Sequence, residues 1–250
     1  SRRMVQAIIK GCVPAQVAPL VFGAQSQALR KKSEAQFAEK LAADGWTEED
    51  VPREAAARAA SASNLRPIGA GTTLRRLASR VVVLQEHSRA GALFGAVGQF
   101  GCCVDGAVEL AAIVPRLAVL GFRRAGVPCA CIAADAENGF NRVHRDVILR
   151  YVAREFPALL PWALSCLQST AVIFWLEKGK CVGMMSNDHG VQQGDPAGPF
   201  FYACAMAEMQ AAFGAAFPDA TQSAYLDDLT AVLPLDQVAA AVDWFYEHGP

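Results

Sequence analysis

Asp227 and Asp228 stand side by side in Ser223-Ala224-Tyr225-Leu226-Asp227-Asp228-Leu229-Thr230-Ala231-Val232, between two short runs of strand-forming residues. That pattern reads as a tight hairpin with both carboxylates at or beside its tip. Adjacent carboxylates repel each other unless a proton or a cation neutralises them. Aspartate is also a common turn residue, so the pair alone specifies no chemistry. A third carboxylate, Asp135, ends the apolar run Cys129-Ala130-Cys131-Ile132-Ala133-Ala134, and Gln193-Gly194-Asp195-Pro196 reads as a turn opening a long helix. Three carboxylates at strand ends suit a pair of Mg²⁺ ions, which take oxygen ligands and leave room for a substrate's phosphates.

The elements that must hold these residues can be read along the chain. From Ser33 to Ser63 the composition shifts to Ala and Glu. Ser33 is placed to cap one helix stopping near Gly45, and Thr47-Glu48-Glu49-Asp50 to start another. Leu65 to Gly71 reads as a short extended segment, followed by a helix from Thr72 or Thr73 with Leu74, Leu77, Val81 and Leu84 on one face. Arg75, Arg76 and Arg80 fall largely off that face. A second helix is expected within 93–125, after a turn at Gly98-Gln99-Phe100-Gly101. Asn141 is expected to cap a helix running to Phe156, where Pro157 stops it. A helix over 162–168 follows, then a hairpin of residues 172–176 and 181–184 around Lys178-Gly179. Pro199 to Phe217 is the longest helical pattern. Strands and helices do not alternate regularly, which favours α+β over a doubly wound sheet.

The 250 residues are 53% hydrophobic and 19% charged, an ordered composition with ample material for a core. A formal net charge of −1 carries no electrostatic footprint of a nucleic-acid partner. The charge is uneven, however. Residues 33–63 hold seven acidic and three basic side chains, leaving twenty basic against seventeen acidic elsewhere. The eight cysteines, at 12, 102, 103, 129, 131, 166, 181 and 204, form no CxxC pair. They read as reduced core residues of an intracellular protein. No apolar run is long enough to span a bilayer, and no signal peptide is evident. Beginning at Ser1 and stopping at Pro250 in mid-pattern, the sequence reads as a fragment of a longer protein.

In this order the segments resemble a reverse transcriptase, most like those of non-LTR retroelements. Arg66-Pro67-Ile68 is similar to the family's fingers motif, and Asp135-Ala136-Glu137-Asn138-Gly139-Phe140-Asn141 to its first palm motif. Gly190-Val191-Gln192-Gln193-Gly194-Asp195-Pro196 is similar to the second palm motif, and Tyr225-Leu226-Asp227-Asp228 to the third. Leu74-Arg75-Arg76-Leu77 and Gln99-Phe100-Gly101 also resemble segments between fingers and palm. Leu226 departs from the alanine common in non-LTR enzymes. The likeness spans nearly the whole chain except residues 33–63.

The resemblance implies the fingers and palm of a right-hand polymerase, with an antiparallel palm sheet backed by helices and no thumb. Residues 1–128 would form a fingers-like region with the helical insert at 33–63. Residues 129–250 would form a palm-like region with a fingers-type hairpin near 171–185. It implies template-directed DNA synthesis on an RNA template, from a DNA primer and deoxynucleoside triphosphates. Asp135, Asp227 and Asp228 would be catalytic and, with the Ala136 carbonyl, would bind two Mg²⁺ ions, for which Mn²⁺ is a substitute. Arg66 would grip the triphosphate, Phe140 would pack under the incoming sugar, and Gln193 and Gly194 would lie against template base and nucleotide. Tyr225 would contact the primer end. The family's fingers lysine has only Lys31 and Lys32 as counterparts, across the insert from Arg66. An RNA-directed RNA polymerase and a non-catalytic nucleic-acid-binding scaffold are the alternatives. The resemblance is compatible with a nuclear location, implies no membrane partner, and leaves oligomeric state open. A fragment lacking a thumb is expected to bind its substrates poorly by itself.

Overall fold

The strand-forming runs around the three carboxylates build one small antiparallel sheet, and the rest of the chain packs behind or beside it. The computed structural model describes residues 2–30, 32–60, 65–136, 138–168, 171–177 and 180–249. The chain opens with helices α1 (Arg2–Ile9) and α2 (Ala18–Val21) and strand β1 (Ala24–Arg30). Helices α3 (Glu34–Ala43) and α4 (Asp50–Ala60) intervene before strand β2 (Leu65–Gly71). Two long helices follow, α5 (Thr73–Ala96) and α6 (Ala107–Ala125), then β3 (Cys129–Asp135), the short α7 (Gly139–Arg142), α8 (Arg145–Glu155) and α9 (Leu160–Leu167). Strands β4 (Ala171–Glu177) and β5 (Lys180–Asn187), helix α10 (Gly198–Ala216), strands β6 (Thr221–Tyr225) and β7 (Asp228–Pro234) and helix α11 (Val238–His248) complete it. The fold is α+β.

One sheet has the order β3-β7-β6 and is antiparallel throughout. The other has the order β2-β1-β4-β5, with β1 and β4 parallel and the remaining pairs antiparallel. Strands far apart in the chain therefore share the second sheet. The ladder of β1 on β2 runs from Ala24 opposite Gly71 to Arg30 opposite Leu65. The acidic insert is thus spliced into the loop of a hairpin, and the strands meet again on either side of it. The insert itself is a helical pair. Ser33 and Gln36 form a reciprocal capping box at α3, the Asp50 N–H donates to Thr47 Oγ1 at α4, and Leu41, Ala55 and Ala59 are buried between the helices.

Helix α10 is buried all round over residues 200–207, which requires packing on every side. Phe94 of α5, Phe156 after α8 and Phe200 of α10 meet edge-on, and Trp162 of α9 stacks on Phe201 at 4.8 Å. A second cluster joins Phe213 to Ala231, Leu233 and Ala241, with Trp244 and Phe245 against it, and so backs the β3-β7-β6 sheet.

Three expectations need correction. The buried face of α5 is Arg75, Ala78, Ser79, Val82, Ala90 and Phe94, while Leu77 and Leu84 are exposed. Small side chains win that face because the helix must approach other backbone closely: a Cβ on Gly91 would lie 2.1 Å from the Cys103 carbonyl oxygen. Asn141 caps no long helix. It lies inside α7, the chain turns extended at Val143 and His144, and α8 starts at Arg145. The Arg145 guanidinium is held by the carbonyls of Leu167, Asn187, His189 and Gly190, which fixes where that helix begins. Among the cysteines, all free, Cys102, Cys166 and Cys204 are buried but Cys12, Cys131 and Cys181 are exposed.

Candidate active site

Asp135 and Asp228 lie directly opposite each other in the β3–β7 ladder, and Tyr225 lies opposite Asp228 in the next ladder. Cross-strand partners project from the same face with Cβ atoms about 4.5–5.5 Å apart. The hairpin carries Asp227 in its two-residue turn, between Leu226 and Asp228. All three carboxylates therefore gather at one end of one sheet. Like charges in that arrangement destabilise a sheet, so the cluster is costly as structure and sensible as a receiver of cations.

The turn is tight. Leu226 has φ 57°, in the left-handed region, which costs a non-glycine residue about 1–2 kcal/mol. Hairpins of this length need a positive φ within the turn, and here Leu226 supplies it without being glycine. The segment 98–101 packs along the hairpin: Ala224 N–H donates to the Gly98 carbonyl at 2.7 Å, and Phe100 N–H to the Ala224 carbonyl at 2.8 Å. A Cβ on Gly101 would lie 2.4 Å from Leu226 N, so only glycine admits the turn so closely.

After Asp135 the chain bends sharply. Asn138 is left-handed, with φ 54°, and Gly139 N–H donates to the Ala136 carbonyl at 3.2 Å. A carbonyl oxygen has two lone pairs, so one remains for a further ligand. The Phe140 ring lies flat on Tyr202 of α10, with centroids 4.5 Å apart and planes 6° from parallel. Among the described residues the buried Tyr202 hydroxyl has no hydrogen-bond partner. Burial raises its pKa most, and the charges of Asp227, Asp135 and Asp228 raise it further. Gly190, at φ 62°, sits where a Cβ would be 2.4 Å from the Phe140 carbonyl oxygen. Gly190→Ala is therefore expected to destabilise the chain by more than about 1 kcal/mol, read from urea unfolding.

Gln193 and Gly194 form the turn before α10, with Gly194 at φ 107°. Gly69 N–H of β2 donates to the Gln193 carbonyl at 2.8 Å, tying the strand that bears Arg66 to this turn. Arg66 itself pairs with Leu29 in the ladder; its side chain lies outside the described residues, as do Lys31 and Glu137. Lys32 extends its ammonium over the Phe37 ring at 5.9 Å. Asp195 locks the turn from below. Its Oδ1 accepts from Ala197 N–H at 2.9 Å, and its Oδ2 accepts from Arg75 Nε, whose Nη1 donates to the Phe22 carbonyl. Both side chains of this ion pair are almost fully buried, at 3% and 2% exposure.

These parts line one open cavity of about 750 Å³, bounded by Asp135, Ala136, Phe140, Gln193, Gly194, Tyr225, Asp227 and Asp228 among others. The expected site residues other than Arg66 thus share one hollow. Among the described residues no group of three or more acidic, histidine or cysteine side chains is by itself arranged to hold a metal ion. Mg²⁺ is commonly held by one or two carboxylates, waters and substrate phosphates instead of a protein cage. The donor set, carboxylates with a spare carbonyl lone pair at the mouth of a cavity, fits that ion. Arg75, Asp195, Arg145, Gln99 and Tyr202 do not stand out in the sequence as site residues. Gln99, Arg75 and Asp195 lie within Gln99-Phe100-Gly101, Leu74-Arg75-Arg76-Leu77 and Gly190-Val191-Gln192-Gln193-Gly194-Asp195-Pro196, but Arg145 and Tyr202 carried no signal.

No family model matches the sequence. Over 177 residues the chain is 28% identical to the Retrotransposable element SLACS 132 kDa protein of Trypanosoma brucei gambiense, covering 69% of this chain and 14% of that protein. The chain spans about one seventh of that relative's length. A structure of apo telomerase from Candida tropicalis, truncated from its C-terminal domain, superposes with a TM-score of 0.56 at 12% identity, covering 92% of this chain and 48% of the other. Telomerase from Candida albicans, in complex with a fragment of telomeric RNA, gives 0.57 at 13% identity, covering 95% and 41%. At such identity these likenesses carry the fold. Together with the retrotransposable-element relative and the arrangement of the sheet, turn and hairpin, they support a reverse-transcriptase-like domain.

Proposed function

We propose that this domain extends a DNA primer on an RNA template by nucleotidyl transfer from deoxynucleoside triphosphates. The observation that carries the reading is the register of Asp135 opposite Asp228, with Asp227 in the adjoining turn. Bound to these carboxylates and the Ala136 carbonyl, two Mg²⁺ ions would lower the pKa of the primer 3′-hydroxyl and neutralise charge building on the triphosphate. Phosphoryl transfer rests mainly on positioning and electrostatic stabilisation, and the remaining residues are suited to positioning. The permanently charged, planar guanidinium of Arg66 would grip the triphosphate. Gln193 and Gly194 would lie against the nascent base pair, where glycine permits close backbone approach. Tyr225, 39% exposed at the hairpin, would meet the primer end. A nucleic-acid groove of this kind loses affinity as salt rises.

Phe140 favours DNA over RNA as product. Its ring is backed by Tyr202 and cannot retreat, so a 2′-hydroxyl above it would clash. Phe140→Ala is expected to raise ribonucleotide relative to deoxyribonucleotide incorporation by about ten- to a hundredfold, measured in competition. Primer extension on RNA with Mg²⁺ tests the whole reading. Deoxynucleotide addition that requires Asp227 is the expected result. Equal use of ribonucleotides would favour an RNA polymerase, and binding of primer and template without extension would favour a scaffold. Among the described residues no helix is long and apolar enough to cross a membrane.

A further inference from the structure

Four hydrogen bonds converge on the side-chain amide of Gln99, which is fully buried. Its Oε1 accepts from the backbone N–H of Leu226 at 2.9 Å and of Gly101 at 3.1 Å. Its Nε2 donates to the Leu226 carbonyl at 3.1 Å and to Gln210 Oε1 at 3.3 Å. A primary amide offers two donors and one oxygen with two lone pairs, so nothing in this group is left unused. Binding both the N–H and the C=O of one residue copies what a neighbouring strand does, at a turn residue that no strand can reach.

That residue is Leu226, the left-handed member of the hairpin turn. A backbone conformation this unfavourable persists only where surrounding groups over-determine it, and Gln99 is the group that does so. The base of the clamp is itself fixed. Gln210 of α10 donates to the Val97 carbonyl at 3.2 Å, and its own carbonyl accepts from Gln222 of β6 at 2.9 Å. Gln99 also bridges to Ala224 as an isolated strand-like pair. A continuous path therefore runs from the buried helix α10 through one amide to the peptide units that precede Asp227.

We propose that Gln99 is a positioning residue for nucleotidyl transfer: its amide holds both peptide groups of Leu226 and so sets the Asp227 carboxylate against Asp135 and Asp228. The proposal rests on the function argued above. Gln99 lies outside the cavity and touches no reacting atom; its effect passes through the turn. Gln99→Met keeps the length of the side chain and removes both bonding functions. Gln210→Leu removes one bond to the amide but leaves both bonds to Leu226.

Mn²⁺ binding by electron paramagnetic resonance, with steady-state kinetics and melting curves, distinguishes positioning from general packing. Gln99→Met is expected to weaken Mn²⁺ binding and lower kcat, each by about 10- to 100-fold, with little change in the KM for nucleotide. Gln210→Leu should melt earlier than the unmodified chain yet lose clearly less Mn²⁺ binding than Gln99→Met. Gln99→Asn keeps an amide but is one methylene too short to span both groups of Leu226. It should lose Mn²⁺ binding in the same direction, and it carries the test if Gln99→Met does not fold. Normal Mn²⁺ binding by a folded Gln99 variant, or equal loss in Gln210→Leu, would overturn the proposal. An unmodified chain that binds Mn²⁺ nowhere near Asp135 would instead overturn the function on which it rests.

Discussion

Asp135→Asn should lose primer extension by at least about a hundredfold, while the same variant in EDTA should melt higher than the unmodified chain. The two effects share one cause. Asp135 and Asp228 face each other across the ladder, so their charges repel whenever no cation lies between them. Asparagine keeps the shape and most of the hydrogen-bonding capacity but removes that pairwise repulsion. It also removes a charged oxygen that the proposed divalent ion would use. Residues whose placement serves chemistry commonly cost stability, and relieving them commonly raises it. A stability gain with loss of activity would mark Asp135 as a functional group; loss of both would mark it as a structural cap of β3. Melting curves with and without Mg²⁺, beside extension rates, give both readings from one preparation.

The second large effect is structural. Arg75→Met is expected to destabilise the chain by about 3–5 kcal/mol, because it strands the Asp195 carboxylate in the interior. Asp195 is not only paired there: its other oxygen holds the start of α10 through Ala197, and Arg75 reaches the Phe22 carbonyl. The double variant Arg75→Met with Asp195→Leu should recover much of the loss, since replacing a buried ion pair by apolar groups is often close to neutral. It should not restore activity, because the Gln193–Gly194 turn would lose its anchor to α5. Urea midpoints for the two single variants and the double give the coupling directly. A double variant as unstable as the worse single one would show that the pair is replaced by nothing in that core.

The carboxylates are legible in the sequence because each ends a recognisable strand. Runs of strand-forming residues locate β3, β6 and β7, and the order of the motifs at Asp135, Gln193 and Asp227 carries the resemblance from which the site is read. The insert at 33–63 is legible too, through Ser33 and Thr47, since capping is a local affair. The interior of α5 is not. Its apolar stripe of Leu74, Leu77, Val81 and Leu84 suggests one inward face, whereas the helix turns Arg75 inward to meet a carboxylate 120 residues away in sequence. A long-range ion pair leaves no periodic trace. The failure at Asn141 has the same origin: Arg145 draws four carbonyls from distant loops and so overrides a good local cap. Sequence distance across the insert hides how close its two flanks lie, since Arg30 pairs with Leu65 in the ladder. Gln99 shows the other limit. Its motif marks it, but its role depends on a turn 127 residues further along.

The account depends on a shared divalent site formed by Asp135 and the Asp227–Asp228 hairpin. Titrating Mn²⁺ into the unmodified chain with a deoxynucleoside triphosphate, and following the free-ion resonance signal, measures that site without requiring catalysis. Saturable binding that disappears in both Asp135→Asn and Asp228→Asn is the predicted result. Binding that survives both substitutions unchanged would contradict it.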